Sequence, residues 1–238
     1  MKIVLSLNKF ISLCFILLFI IINTNAVIVS NEDELLTKIN SKEKVLNINN
    51  EITVTKNETI EVKSTSISII GNSDSSVLRF SNNIEENIHF LKTCEVIEIN
   101  DITIYGNLKF FENKKITLKN VMYNGFFISD NSNVDNQKTI SILNSEFNLP
   151  HTHIGYQIYN YNLTIDNSKF YGNDVKNMYL MSVMSSKDLL NNLEIKNSLF
   201  SGNYRNSGIE TSYTNITCEH TRFEKCFNGK ELNGYILC

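Results

Sequence analysis

An all-β solenoid of about eight stacked coils, opened by a short capping helix, is the fold class that this 238-residue sequence predicts. Three observations predict it. An eleven-residue phrase is written twice, LTIDNSKFYGN at 163–173 and LEIKNSLFSGN at 193–203, with Asn and Phe kept and the charged letters free. Its first five letters recur in seven segments: ISIIG (67–71), IEIND (97–101), ITLKN (116–120), ISILN (140–144), LTIDN (163–167), LEIKN (193–197) and ITCEH (216–220). The copies start 30, 19, 24, 23, 30 and 23 residues apart, the period of stacked coils, none of which can bury its apolar face alone.

Residues 1–26 are expected to leave the mature chain. Lys2 and Lys9 precede an apolar run at 10–22, and Asn23-Thr24-Asn25-Ala26 offers a small-residue cleavage site, the layout of a secretory signal peptide. The run falls short of the roughly 20 residues a membrane span needs. No second long apolar run follows, so no membrane insertion is expected after cleavage. The expected location is extracellular or at the cell surface. Without the leader, 20 basic side chains face 25 acidic ones, a balance of −5 that argues against nucleic acid as a partner. Asn57-Glu58-Thr59, Asn162-Leu163-Thr164 and Asn215-Ile216-Thr217 are sequons, which makes Asn57, Asn162 and Asn215 candidate glycosylation sites.

Residues 27–44 are expected to cap the solenoid. In NEDELLTKIN (31–40), Asn31 suits a helix N-cap, Glu32, Asp33 and Glu34 suit the first turn, and Leu35, Leu36 and Ile39 share a face. The coils occupy 45–238. Within each five-residue unit, apolar residues alternate with free positions, which is a strand with one buried face. The fifth letter is Asn, Asp, Gly or His, read as a bend. Three residues later stand Ile104, Tyr123, Phe147, Phe170, Phe200 and Phe223, which stacking would turn into one internal column. Asn120, Asn144, Asn167 and Asn197 are expected to form an internal amide ladder. Asp166, Lys196 and Glu219 should be outward neighbours of alternating charge. The two 30-residue spacings predict large loops near 72–95 and 173–192, and DNSNVDNQK (130–138) reads as a polar turn. Tyr235-Ile236-Leu237-Cys238 ends the chain in strand-like apolar residues, so a covering molecule or a longer product is expected at that end, the latter favoured.

Cys94 lies about five coils before Cys218, roughly 24 Å away by the ladder spacing, beyond the ~7 Å limit of a disulfide. It is therefore expected to be unpaired and buried. Cys226 with Cys238 is the preferred bridge among the remaining thiols, and no cysteine pair has zinc spacing.

These units resemble right-handed parallel β-helix proteins, the pectin-lyase-like superfamily, over roughly residues 45–238. Phe170-Tyr171-Gly172-Asn173 and Phe200-Ser201-Gly202-Asn203 are similar to the repeat of polymorphic outer-membrane proteins and of secreted gut-fungal β-helix proteins. The resemblance implies a right-handed helix and allows pectin-directed chemistry. Such chemistry needs carboxylates at one phase of adjacent coils. Glu98, Glu194 and Glu219 are outward, but only Glu194 and Glu219 share neighbouring coils, where they lie at different phases, and Asp166 neighbours Lys196. No catalytic residue, metal ligand set or cofactor is assigned. His151-Thr152-His153 lacks a third ligand and reads as a loop after Pro150. Tyr156, Tyr159 and Tyr161 are the candidate ligand contacts, as the densest aromatic patch. Met178, Met181 and Met184 are expected to line the core. The expected function is a secreted or surface non-catalytic β-helix that is adhesive, carbohydrate-binding or structural, with a polysaccharide or cell-surface component as partner. The alternative, a lyase or hydrolase of pectin-like polymers, rests on the resemblance alone.

Overall fold

Alternating apolar residues do form strands here, and the strands stack rather than fold back on themselves. The computed structural model describes residues 26–81, 86–132, 138–176 and 178–226. All strand pairs in it are parallel, and they make three sheets that run the length of a β-helix solenoid. Sheet 1 contains β1 (Val27–Val29), β2 (Val45–Ile48), β5 (Ser66–Gly71), β8 (Val96–Asn100), β11 (Lys115–Lys119), β14 (Thr139–Leu143), β17 (Asn162–Asp166), β20 (Asn191–Lys196) and β23 (Thr214–Glu219). Sheet 2 contains β3 (Glu51–Val54), β6 (Val77–Phe80), β9 (Thr103–Tyr105), β12 (Met122–Asn124), β15 (Glu146–Asn148), β18 (Lys169–Tyr171), β21 (Leu199–Ser201) and β24 (Arg222–Glu224). Sheet 3 contains β4 (Ile60–Val62), β7 (Ile88–Phe90), β10 (Leu108–Phe111), β13 (Phe127–Asp130), β16 (Tyr156–Tyr159), β19 (Met178–Met184) and β22 (Asn206–Ser212).

The register of sheet 1 is the one the repeat predicts. Ile116 faces Ile140, Ile140 faces Leu163, Leu163 faces Leu193 and Leu193 faces Ile216. The internal column on sheet 2 is likewise formed. Tyr123 pairs with Ile104 and Phe147, and Phe147, Phe170, Phe200 and Phe223 follow rung by rung. Ring centroids are 4.8, 4.7 and 5.0 Å apart from Phe147 to Phe223, with planes within 18°. Burying one such ring contributes roughly 1.5–3 kcal/mol before packing is added.

The bend residues are left-handed, but the asparagines are not internal. Asp101, Asn120, Asn144, Asn167, Asn197 and His220 have φ between 47° and 57°, and all are exposed. Asn recurs there because its short polar side chain tolerates that conformation, not because it fills the core. The expected ladder is correspondingly partial. Asn167 Nδ2 donates to Asn144 Oδ1 at 3.0 Å, whereas Asn120 and Asn197 turn to the carboxylates of Asp101 (2.7 Å) and Asp166 (2.9 Å). Gly71 is not such a bend. A Cβ there would lie 2.0 Å from the Asp101 carbonyl oxygen of the next coil, so close approach demands the glycine.

The internal polar column belongs to the next letter, serine. Ser145, Ser168 and Ser198 are buried. The amides of Val121, Ser145 and Ser168 donate to Oγ of Ser145, Ser168 and Ser198 at 3.0, 3.1 and 3.1 Å. Each of these hydroxyls donates in turn to the carbonyl two residues back. Three successive coils thereby satisfy the corner amide of the coil before them.

At the N-terminal end, α1 (Glu32–Asn40) packs buried Leu35 and Ile39 against the first coil, with Leu36 partly buried. Asn31 Oδ1 accepts from the Glu34 amide at 2.9 Å, and Glu34 accepts from the Ser30 amide at 2.8 Å. The Glu32 carboxylate ties the helix to the coil by accepting from both the Thr55 and Lys56 amides at 2.9 Å. Strand β1, which the sequence does not announce, adds a further strand to sheet 1.

The two expected loop regions hold short strands between their turns. Residues 72–95 contain β6 and β7, and 173–192 contain β19, where Met178 and Met181 are buried and Met184 faces outward. Part of 130–138, the whole leader and the C-terminal 227–238 lie outside the described residues.

Candidate functional site

A three-residue strand with an inward centre throws its first and third side chains outward, so sheet 2 carries two outward files. One file reads Thr103, Met122, Glu146, Lys169, Leu199, Arg222, and the other Tyr105, Asn124, Asn148, Tyr171, then Ser201, which is buried, and Glu224. The exposed bends of Asp101, Asn120, Asn144 and Asn167 run alongside. Where the bends meet sheet 2 the surface is concave. One hollow is lined by Asp74, Asp101, Thr103, Asn120 and Met122, and a second by Asn120, Met122, Asn144, Glu146, Asn167 and Lys169. Shared Asn120 and Met122 join them into one groove along several rungs. Its walls offer amides, three carboxylates, an ammonium and a thioether, chemistry suited to hydroxyl-rich ligands.

Tyr156 and Tyr161 do not belong to any such surface. In β16 the alternation buries Tyr156 and Ile158 and turns Tyr159 outward; Tyr161 is buried at the corner before β17. Burial raises both phenols well above the usual tyrosine range. These two candidates are corrected to core residues, and Tyr159, 41% exposed on sheet 3, is the one left accessible.

Sheet 3 gathers a charged cluster that sequence reading misses. Glu61, His89 and Lys109 are register neighbours on its outward file. Glu86 joins them: its carboxylate is 3.4 Å from His89 Nδ1 and accepts from Lys109 Nζ. Burial, ahead of the charges, lowers the His89 pKa and favours its neutral form. Glu61, His89 and Lys109 belong to short strands without the five-letter pattern and Glu86 to the segment before β7, so only stacking brings them together.

The outward charge column is in register, Asp166 beside Lys196 and Lys196 beside Glu219. Lys196 nevertheless sits closer to Glu194 of its own strand, at 2.7 Å, than to Glu219 at 3.8 Å. Of the sequon residues, Asn57 and Asn215 are exposed and Asn162 is half-buried. Asn162 and Asn215 flank Asn192 in an amide file: Asn192 Nδ2 donates to Asn162 Oδ1 at 3.4 Å and Asn215 Nδ2 to Asn192 Oδ1 at 3.3 Å.

Cys94 is buried, and burial pushes its thiol up to about 11. No disulfide joins Cys94, Cys218 and Cys226 to one another, and Cys238, the preferred partner of Cys226, lies outside the described residues. His151 Nδ1 meets Asp174 at 2.7 Å on the surface, and among the described residues no three His, Cys, Asp or Glu side chains gather as a metal site. No helix among them is long and apolar enough to cross a membrane.

Fold and flank together define a parallel β-helix solenoid with a grooved, amide-rich side. A scan of protein-family models finds no match, and no curated protein or solved structure is significantly similar to the chain.

Proposed function

We propose that the mature chain is a secreted or cell-surface recognition module that holds polysaccharide along the sheet 2 flank without cleaving it, serving adhesion or wall structure. The same reading groups it with the right-handed, pectin-lyase-like β-helices. The observation that carries it is the joined groove, whose polar walls repeat rung after rung as a polymer repeats its sugars. Asn57 and Asn215, both exposed, would carry glycans in that setting. A second reading, a pectin-directed lyase or hydrolase, is favoured by the sheet 3 cluster, where Glu61 and Glu86 stand beside His89 and Lys109. Paired carboxylates with a neighbouring base are what sugar cleavage requires.

One experiment separates them. Purified 27–238 is incubated with pectins, xylans and β-glucans, with and without Ca²⁺, while 235 nm absorbance and reducing ends are followed and the chain is recovered on insoluble polymer. Binding without new chain ends is the expected result. Turnover that disappears in Glu86→Gln would establish the enzyme instead.

A further inference from the structure

We infer that the outward file Tyr105, Asn124, Asn148 and Tyr171 is a subsite for a neutral, extended glycan laid parallel to the solenoid axis; this rests on the recognition reading above and names its ligand class. The four residues stand on consecutive rungs, in register and partly exposed. The Arg79 guanidinium lies 3.8 Å from the Tyr105 ring centroid, on the rung before it, and so occupies one ring face. The opposite face is turned toward the Asn124 rung. Tyr171 closes the file three rungs on, about 14 Å away by the strand spacing. Between the tyrosines stand the two shorter side chains of Asn124 and Asn148, with an aromatic residue at each end of the file. Asn124 Nδ2 itself is buried and has no hydrogen-bond partner among the described residues. An aromatic face takes the C–H face of a sugar, and a carboxamide such as that of Asn148 takes its hydroxyls as donor and acceptor together.

Charge decides the class of sugar. The file is uncharged over all four rungs. The two arginines of sheet 2 are already engaged, Arg79 Nε with Glu51 at 2.7 Å and Arg222 Nη2 with Glu224 at 2.5 Å. Lys169, in the adjoining file, has Glu146 as its register neighbour. A polyuronate would find no uncommitted row of cations to desolvate its carboxylates against, whereas a neutral chain needs none. An axial path also lets successive sugars meet successive rungs, which a path across the strands would not.

Depletion isotherms of 27–238 against cellulose, arabinoxylan, mixed-linkage β-glucan and polygalacturonate test this, with Tyr105→Ala, Tyr171→Ala, the Asn124→Ala/Asn148→Ala pair and, as control on sheet 1, Thr117→Ala. A neutral glycan is expected to bind at least about tenfold tighter than polygalacturonate, with each tyrosine variant losing about tenfold and the control unchanged. Tyr105→Phe, which keeps the ring and the fold, should bind within about threefold of the parent. Preference for polygalacturonate, or wild-type binding by both alanine variants, overturns this inference and leaves the recognition reading standing. Failure to bind any polymer overturns both.

Discussion

Asn167 and Ser168 are adjacent in sequence and do opposite work. Asn167 is exposed with φ 47°, and its identity answers a backbone demand. Asn167→Gly should therefore be nearly neutral, while Asn167→Ala should cost about 1 kcal/mol because Cβ crowds the left-handed bend. Ser168 is 1% exposed and its Oγ accepts from the Ser145 amide. Ser168→Ala strands that buried amide and should cost about 1–3 kcal/mol in urea unfolding. The sequence led to the wrong partner of this pair because serine after a bend reads as a solvated turn residue. Only the repetition of Asn-Ser at 144–145, 167–168 and 197–198 could have exposed the column.

At the scale of single strands, legibility follows how strictly inside and outside alternate. The sheet 1 strands have polar outward letters and a bend after them, so their period shows directly. The three-letter strands of sheet 2 show only their central aromatic. Sheet 3 hides itself because Phe111 and Ile128 are apolar yet point outward, while Tyr156 is aromatic and points inward. Ring choice there had to be read from stacking, which is why two of three tyrosine candidates proved to be core. The Phe column supplies the sharpest test of an element: Phe170→Ala removes a ring stacked on both sides and should cost about 3–5 kcal/mol. The glycines of the repeated phrase also become intelligible at this scale. A Cβ on Gly172 would lie 2.1 Å from Asn206 Oδ1, and one on Gly202 would lie 2.2 Å from the Asn206 carbonyl oxygen. Asn206, not Asn203, is thus the residue that answers Asn173, donating to its Oδ1 at 3.1 Å.

For the whole molecule, acid should loosen the solenoid at its cap and at one corner. The Glu112 carboxyl is held below the usual carboxylate range, first by Lys92 Nζ at 2.6 Å and next by Ser132 Oγ. Glu32 is lowered foremost by the Lys56 amide. A depressed folded-state pKa contributes stability above the unfolded value, about 4.3 for glutamate, and that contribution disappears as pH falls through the lower folded value. The urea midpoint should accordingly drop on acidification below about pH 5. In Glu112→Gln that decline should be shallower, although the variant starts less stable at pH 7.

The serine hydroxyls at the corner of sheets 1 and 2 have one more consequence. Each reaches only the coil before it, and so do the rings above and below Phe170. Nothing in these contacts counts how many coils there are. Duplicating or excising one 23-residue unit, 140–162 for instance, would rejoin like to like and lengthen or shorten the body by a single step of about 4.8 Å. A gene that varies by whole coils can therefore adjust the reach of this protein as a carpenter sets a rule, notch by notch, without redesigning its interior.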